Sequence, residues 1–426
     1  MIRTKAGQNM EEPNAEPIVR TAREPRHPSL NTSLLSAASQ EDTMVDYLKN
    51  HPQGFSEMPF NSVDSLILST LSYLDLDSYP YEDVLGGDGV PVVDIVRFSE
   101  FESLLNGGWI SASKELPSFV EALLRCRRFA DLSVRYFVQE DAAAIEKQFC
   151  ACTFSFGGKT PLYYLAFRGT DGTLAGWKED FNLSYRKVIP SQRSAERYVS
   201  GVLSALPPDA RIMVGGHSKG GNLAEFAAAT VDETSYERIE RIFNHDGPSF
   251  LNSPSPRFEE QHFKDKLDKT VPESSIFGMM LEHRDDFSVV QSQATGIFQH
   301  NPFSWLTCDD DFLYQESLNP SAAFFDQTLD RWLKSCTPEQ RETFIDTIYE
   351  LIISSDATSW QEFNGAWLPN VAGVLRDGKN LDHETKEIIL HTIRNFGSVA
   401  SASVRERFGS FIERMRAMAR LGDNQA

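Results

Sequence analysis

Apolar residues take on helical spacing soon after position 43. Met44, Tyr47 and Leu48 predict a short helix, and Val63, Leu66, Ile67, Thr70, Leu71 and Leu74 predict a second one behind the cap residue Asn61. Another amphipathic helix is expected over 118–132. The period then shortens. Residues 148–156 alternate polar and apolar, Gly157-Gly158-Lys159-Thr160 supplies turn chemistry, and 162–167 is again strand-like. This predicts a β-hairpin running into Arg168-Gly169-Thr170. A helix over 191–206 follows, then the apolar run Ile212-Met213-Val214 ending in Gly215-Gly216, then an alanine-rich helix over 222–230. Candidate strands at 239–244, 275–281 and 287–291, with helix-forming segments between the first two, continue the alternation and predict an α/β sheet.

After Trp305 the character becomes helical. Thr337-Pro338-Glu339-Gln340 resembles a helix start, Phe344, Ile345, Ile348, Leu351 and Ile352 form an apolar stripe, and a second long helix is expected over 383–396. Residues 1–40 place Pro13, Pro17, Pro25 and Pro28 among polar residues and read as a flexible tail, because they offer little apolar surface to offset ordering entropy.

Composition narrows the class. With 41% hydrophobic and 24% charged residues, the chain reads as a soluble globular protein. Sixty-one acidic against 41 basic residues give a net charge of −20, which repels polyanions and sets nucleic acid aside as a partner. No run approaches the roughly 20 apolar residues that span a bilayer, and the N-terminus has no signal-peptide pattern. A cytoplasmic protein without stable membrane insertion is expected. Five scattered cysteines, Cys126, Cys150, Cys152, Cys308 and Cys336, lack zinc-finger or redox-motif spacing and read as reduced thiols. No metal and no cofactor is expected.

The chemistry is carried by Gly216-His217-Ser218-Lys219-Gly220-Gly221, a G-x-S-x-G sequence between an apolar strand and a small-residue helix. That context is a nucleophile elbow. The serine occupies a strained turn, and side chains two positions before and after it would collide with neighbouring strand and helix. The turn also sets Ser218 at a helix N-terminus, where the dipole favours developing negative charge and the Lys219 N–H becomes an oxyanion donor. A phosphate-binding loop would need G-x-x-x-x-G-K-[ST], which is absent. The expected fold class is α/β: an α/β-hydrolase fold with a mostly parallel central sheet flanked by helices, plus a C-terminal helical extension. The organisation predicted is a tail over 1–40, the hydrolase domain with its N-terminal helices over 41–315, and the extension over 316–420.

Two resemblances refine this. Phe167-Arg168-Gly169-Thr170, then Trp177-x-x-Asp180, then the Gly-His-Ser-x-Gly-Gly elbow resemble the class 3 (fungal-type) lipases. That likeness implies Thr170 as the second oxyanion element, with Trp177 and Asp180 fixing its loop. A closer resemblance is to the Mbeg-like family of bacterial α/β-hydrolases. It rests on Met44 to Tyr47, FNSVDSLILSTLSY at 60–73, Phe167 to Thr170, GHSKGGNLA at 216–224, Asp246-Gly247-Pro248, GMMLEH at 278–283 and QHNPFSW at 299–305. Two positions depart from these patterns. Lysine follows the serine where lipases usually carry leucine, and Ser249 stands where glycine is expected after Asp-Gly-Pro.

A serine hydroxyl needs a histidine to take its proton and a carboxylate to orient that histidine. His300 is the expected base, since it follows the last candidate strand by a short loop and lies in a sequence resembling the family's histidine loop. His217, His245, His262, His283, His383 and His391 read as structural. Two places fit the acid. Asp246 ends the strand after the nucleophile helix and resembles the Asp-Pro turn of pancreatic-type lipases, while Asp285 or Asp286 follows the next candidate strand, where class 3 lipases place theirs. The expected activity is a lipase- or esterase-like serine hydrolase, cleaving the carboxylic ester or thioester of a small-molecule or lipid-like acyl substrate through an acyl-enzyme on Ser218. An acyltransferase using the same serine and a non-catalytic binding protein of this fold are the alternatives.

Overall fold

Asn61 and Asp64 exchange bonds at the start of a helix: the Asn61 side chain accepts from the Asp64 N–H at 2.9 Å, and the Asp64 carboxylate accepts from the Asn61 N–H at 3.0 Å. The same reciprocal arrangement links Thr43 and Asp46. These boxes open α1 (Met44–Asn50) and α2 (Ser62–Leu71), where the apolar spacing places them. The structure is a computed structural model that describes residues 42–320, apart from 77–78, 80–87, 99–103, 106–109, 111–112, 159–160, 171–178, 181, 184–185, 251–252, 280 and 282–286. The tail over 1–40 and the helices expected after residue 320 lie outside the described residues.

Beyond α2 come β1 (Val90–Pro91), α3 (Val92–Phe98) and α4 (Leu116–Arg125). The helix expected over 118–132 thus stops early. At Cys126 the backbone becomes extended, and one 3-10 turn at Arg127–Phe129 carries Arg128 into the interior. There its guanidinium forks onto both oxygens of Asp64 at 2.7 and 2.6 Å, with both side chains fully buried. Three backbone carbonyls, of Gln53, Met58 and Pro59, take its other donors.

The strands are β2 (Ser133–Ala142), β3 (Lys147–Phe156), β4 (Leu162–Phe167), β5 (Arg211–His217), β6 (Ile239–His245), β7 (Leu267–Pro272), β8 (Ser288–Val290), β9 (Thr307–Cys308), β10 (Asp311–Phe312) and β11 (Tyr314–Gln315). Among the described residues, eight of them join β1 in one nine-stranded sheet in the order β1-β2-β3-β4-β5-β6-β7-β8-β11, and β9 pairs with β10 separately. The centre, β4 to β8, runs parallel, while β1 to β4 at one edge and β8 with β11 at the other are antiparallel. The expected mostly parallel sheet is therefore a parallel centre with antiparallel margins.

Two further expectations need correction. The described residues of 275–281 form no strand. The strand at that place in the sheet is β7, whose Lys269 and closing Pro272 disguise it in a region that reads as helix-forming. The short strands β9 to β11 likewise replace the helical character expected directly after Trp305.

Between the strands lie α5 (Pro190–Ala205), α6 (Lys219–Thr230), α7 (Glu233–Glu237) and α8 (Gln261–Lys266). Alternation along β4 divides the core in two. Tyr164 and Ala166 face a cluster with α1, α2 and α4, while Leu165 and Phe167 face one with α5 and α6. Helix α2 is buried along its whole length, so its hydroxyls need partners inside the protein. Ser65 and Ser69 find the Tyr164 hydroxyl at 2.7 and 2.8 Å, and Ser65 also meets His245 Nε2 at 2.8 Å. No helix among the described residues is long and apolar enough to cross a membrane.

The buried pair yields a stability prediction. Arg128→Met leaves the Asp64 carboxylate uncompensated in the core, and a loss of about 3–5 kcal/mol is expected in urea unfolding. Pairing it with Asp64→Asn should recover part of that loss; a single variant within about 1 kcal/mol of wild type, on the order of a surface change, contradicts the assignment.

Candidate active site

Parallel register brings the expected site residues to one edge of the sheet. Phe167 on β4 pairs with Gly216 on β5, His217 pairs with His245 on β6, and His245 with Thr270 on β7. The residues following β4, β5 and β6, namely Arg168 to Thr170, Ser218 and Asp246, therefore emerge side by side at the carboxyl ends of the strands. This is where open α/β sheets bind ligands.

Ser218 has φ 59° and ψ −134° between β5 and α6, a conformation disfavoured for any residue with a side chain. Its N–H donates to the His245 carbonyl at 2.9 Å, and its own carbonyl accepts from the Gly221 N–H at 2.9 Å. The spacing of the glycines has a direct steric cause. A methyl group on Gly220 would run into the Phe167 carbonyl, and one on Gly216 into the backbone of Gly220. Gly169 belongs to the same crowding, because a methyl there would lie 2.7 Å from the His217 carbonyl oxygen and 3.1 Å from Ser218 Cβ. The Arg-Gly-Thr segment is thus pressed against the elbow.

Asp246 is buried, with φ 53°, just after β6. One carboxylate oxygen accepts from the Ser275 hydroxyl and from the Gly278 N–H at 3.0 Å, and the other lies 2.6 Å from His300 Nδ1. The segment at 275–279, expected as a strand, is instead the turn that holds this carboxylate. Asp285 and Asp286 lie outside the described residues.

The histidine loop is fastened by its neighbours. Gln299 accepts from the Ser274 N–H at 2.6 Å and donates to Glu273 and to the Ala294 carbonyl at 3.0 Å each, and its own carbonyl accepts from the buried Trp305 indole at 2.7 Å. Asn301 caps the next turn by accepting from the Phe303 N–H. His217, which reads as structural in the sequence, lies with its ring 4.6 Å from that of His300.

Lys219 opens α6, so its N–H sits at the positive end of the helix. Its side chain turns inward. Nζ donates to the Gln148 carbonyl at 3.0 Å and pairs with Glu179 at 3.1 Å, with Asp180 at 3.8 Å. Glu179 is fully buried and also accepts from the Gln148 N–H, the Ser191 N–H and the Ser191 hydroxyl. The next residue, Asp180, takes the Thr170 hydroxyl, as expected of a loop-fixing aspartate. Trp177 lies outside the described residues. Burial lifts the Asp180 carboxyl to about 6 against the opposing pull of Lys219 and Thr170. Burial also lowers His245 to about 4.

The signal for Lys219 is visible in the sequence as a lysine in place of leucine, but nothing local marks Glu179, beside Asp180, as its buried partner. Gln299 and His217 carry no pattern of their own beyond their motifs. Among the described residues, no three His, Cys, Asp or Glu side chains converge as a metal site. Cys126, Cys150 and Cys152 are buried, and Cys308 is exposed.

A parallel-centred sheet, a left-handed serine at the end of its central strand and a helix packed back beneath it define an α/β-hydrolase fold. A family model described as Mbeg1-like matches residues 123–350, and the chain belongs to the Mbeg1-like family. No curated protein matches the sequence. Among solved structures, a Rhizomucor miehei lipase in complex with its propeptide is similar over 65% of this chain and 76% of its own, at 14% identity and TM-score 0.35. A fungal lipase–inhibitor complex is similar over 58% and 83%, at 17% identity and TM-score 0.33. The M37 lipase is similar over 50% and 68%, at 17% identity and TM-score 0.31.

The raised Asp180 carboxyl has a signed consequence. Its folded value of about 6 lies above the ordinary 3.8, so the folded state holds this proton more tightly. The associated stability is full below roughly pH 4 and is lost as pH rises through about 6. Wild type should therefore lose stability relative to Asp180→Asn between those values, as read by urea unfolding across the range. A difference that stays constant with pH refutes it.

Proposed function

We propose that this chain is a serine hydrolase that cleaves an ester or thioester through an acyl-enzyme on Ser218. The observation that carries the reading is the 2.6 Å contact between His300 Nδ1 and Asp246, beside a serine held in the left-handed elbow. With Nδ1 given to the carboxylate, Nε2 is the nitrogen that takes the Ser218 proton as Oγ attacks the substrate carbonyl. Asp246 then faces the imidazolium and stabilises it. The oxyanion accepts from the Lys219 N–H and from Thr170. Because the Thr170 hydroxyl donates to Asp180, the group it offers the oxyanion is its backbone N–H, with the side chain serving as a tether. The alcohol or thiol leaves with the proton from His300, and water, deprotonated by the same imidazole, releases the acid. Small-molecule or lipid-like acyl esters are the substrate class.

A fluorophosphonate probe tests the reading. Labelling is expected at Ser218 and absent in Ser218→Ala, and His300→Ala should slow it by roughly 10⁴-fold or more. A folded wild-type protein that does not label favours a non-catalytic role. Thr170→Ala keeps the backbone donor, so its labelling should slow by only about tenfold, below the roughly 10²–10³ that accompanies loss of an oxyanion donor. The full loss would show that the hydroxyl itself is the donor.

A further inference from the structure

His300 touches more than its carboxylate. The His217 ring lies 4.6 Å from it at an interplanar angle of 37°, and the Phe277 ring lies 4.2 Å from it at 40°. Neighbours this close and this little tilted lie over a ring face. Two ring systems therefore press on the same imidazole. His217 also donates from Nε2 to the carbonyl oxygen of His300 at 2.8 Å, which holds the backbone and the ring of one residue with one side chain. Trp305 backs His217 edge-on at 6.5 Å.

We propose that His217 and Phe277 are positioning residues that clamp the His300 imidazole in the plane joining Asp246 to Ser218, a role that rests on the reading of Ser218 as nucleophile. A single hydrogen bond at Nδ1 leaves the ring able to swing about that contact. Two rings packed against the imidazole oppose that swing, and because the Asp246 contact takes Nδ1, Nε2 is the nitrogen the reaction uses. The chemistry of His217 suits this role. Its Nε2 must carry the proton, since a carbonyl accepts from it, and its buried Nδ1 has no hydrogen-bond partner among the described residues. Burial, with His300 and His245 adding to it, holds this imidazole well below its ordinary value, so it remains neutral. A neutral face neighbour leaves the cation that forms on His300 unopposed, whereas a lysine or a protonated histidine there would repel it.

The test combines fluorophosphonate labelling rates with the proton NMR signal of the His300 Nδ1–H, identified by its absence in Asp246→Asn. Variants that match wild-type thermal unfolding are compared. His217→Ala and Phe277→Ala should label roughly 10- to 100-fold more slowly, the scale of a misplaced reacting group, and should broaden or lose the signal. Phe277→Tyr, which restores the face contact, should recover both. Labelling within about twofold of wild type with an intact signal overturns the clamp while leaving the nucleophile standing. If wild type itself does not label, the nucleophile reading falls and the signal still decides: retained in both alanine variants, it refutes the clamp. If His217→Ala does not fold, the half-buried Phe277 variants decide between these outcomes alone.

Discussion

The backbone of Ser218 is the constraint from which the rest of the site follows. A residue at φ 59° with a side chain persists only where its surroundings over-determine it. Here they do so from three sides. The His245 carbonyl fixes the N–H, α6 takes the carbonyl, and Phe167 at the end of the neighbouring strand leaves no room for side chains at Gly216 or Gly220. The turn sets the direction of α6, and with it the inward path of Lys219 and the outward path of the serine. It also brings the His217 ring beside that of His300. One strained residue thereby orients the groups on both sides of it.

The second feature is electrostatic. A lysine directly after the serine puts a cation inside the protein, where an unpaired charge is untenable. It is accommodated because Glu179 lies against it and is itself held by backbone and hydroxyl donors from β3 and α5. The pair ties the nucleophile helix to the segment whose next residue, Asp180, holds Thr170. An apolar residue at position 219 would fill the space but would make no such link. The lysine therefore does for this elbow what shape alone cannot: it couples α6 to the segment that holds Thr170.

Much of this is legible in the chain. The capped helices α1 and α2, the hairpin of β3 and β4, the strand-turn-helix at Ser218 and the loop around His300 all carry local signals, because period, cap and turn chemistry are short-range. What is not legible depends on long-range partners. β2 bends at Tyr136, where φ is 51°, and slips register between Arg135 and Val138, which blurs its alternation. β7 carries a lysine and a proline that a single-sequence pattern reads as anything but a central strand. The contest over the acid has no local resolution either, since Asp246 and the pair at 285–286 each follow an apolar run. The contact that favours Asp246 runs across 54 residues of chain, to His300 Nδ1, while Asp285 and Asp286 lie outside the described residues. His217 looks structural in the sequence for the same reason: its ring partner lies in a different part of the chain.

The two departures from the resembled patterns share one physical cause. Lysine at 219 is a buried cation matched by Glu179. Serine at 249, where glycine is expected, also answers a buried cation: the Ser249 hydroxyl accepts from Lys269 Nζ at 2.6 Å, and both residues are buried. Lys269 stands on β7 opposite Asn244 of β6, next to the strand end that carries Asp246. A glycine at 249 would remove that acceptor and leave the ammonium to seek another, at a desolvation cost of roughly 1–3 kcal/mol or more for a charged group. The serine is therefore read together with the lysine on the adjacent strand. Their pairing also fastens the loop after Asp246, whose carbonyls at Pro248 and Ser249 are held in turn by Asn222 of α6. Both departures thus belong to a buried cation with its partner: Lys219 is the cation that Glu179 matches, and Ser249 is the acceptor for Lys269.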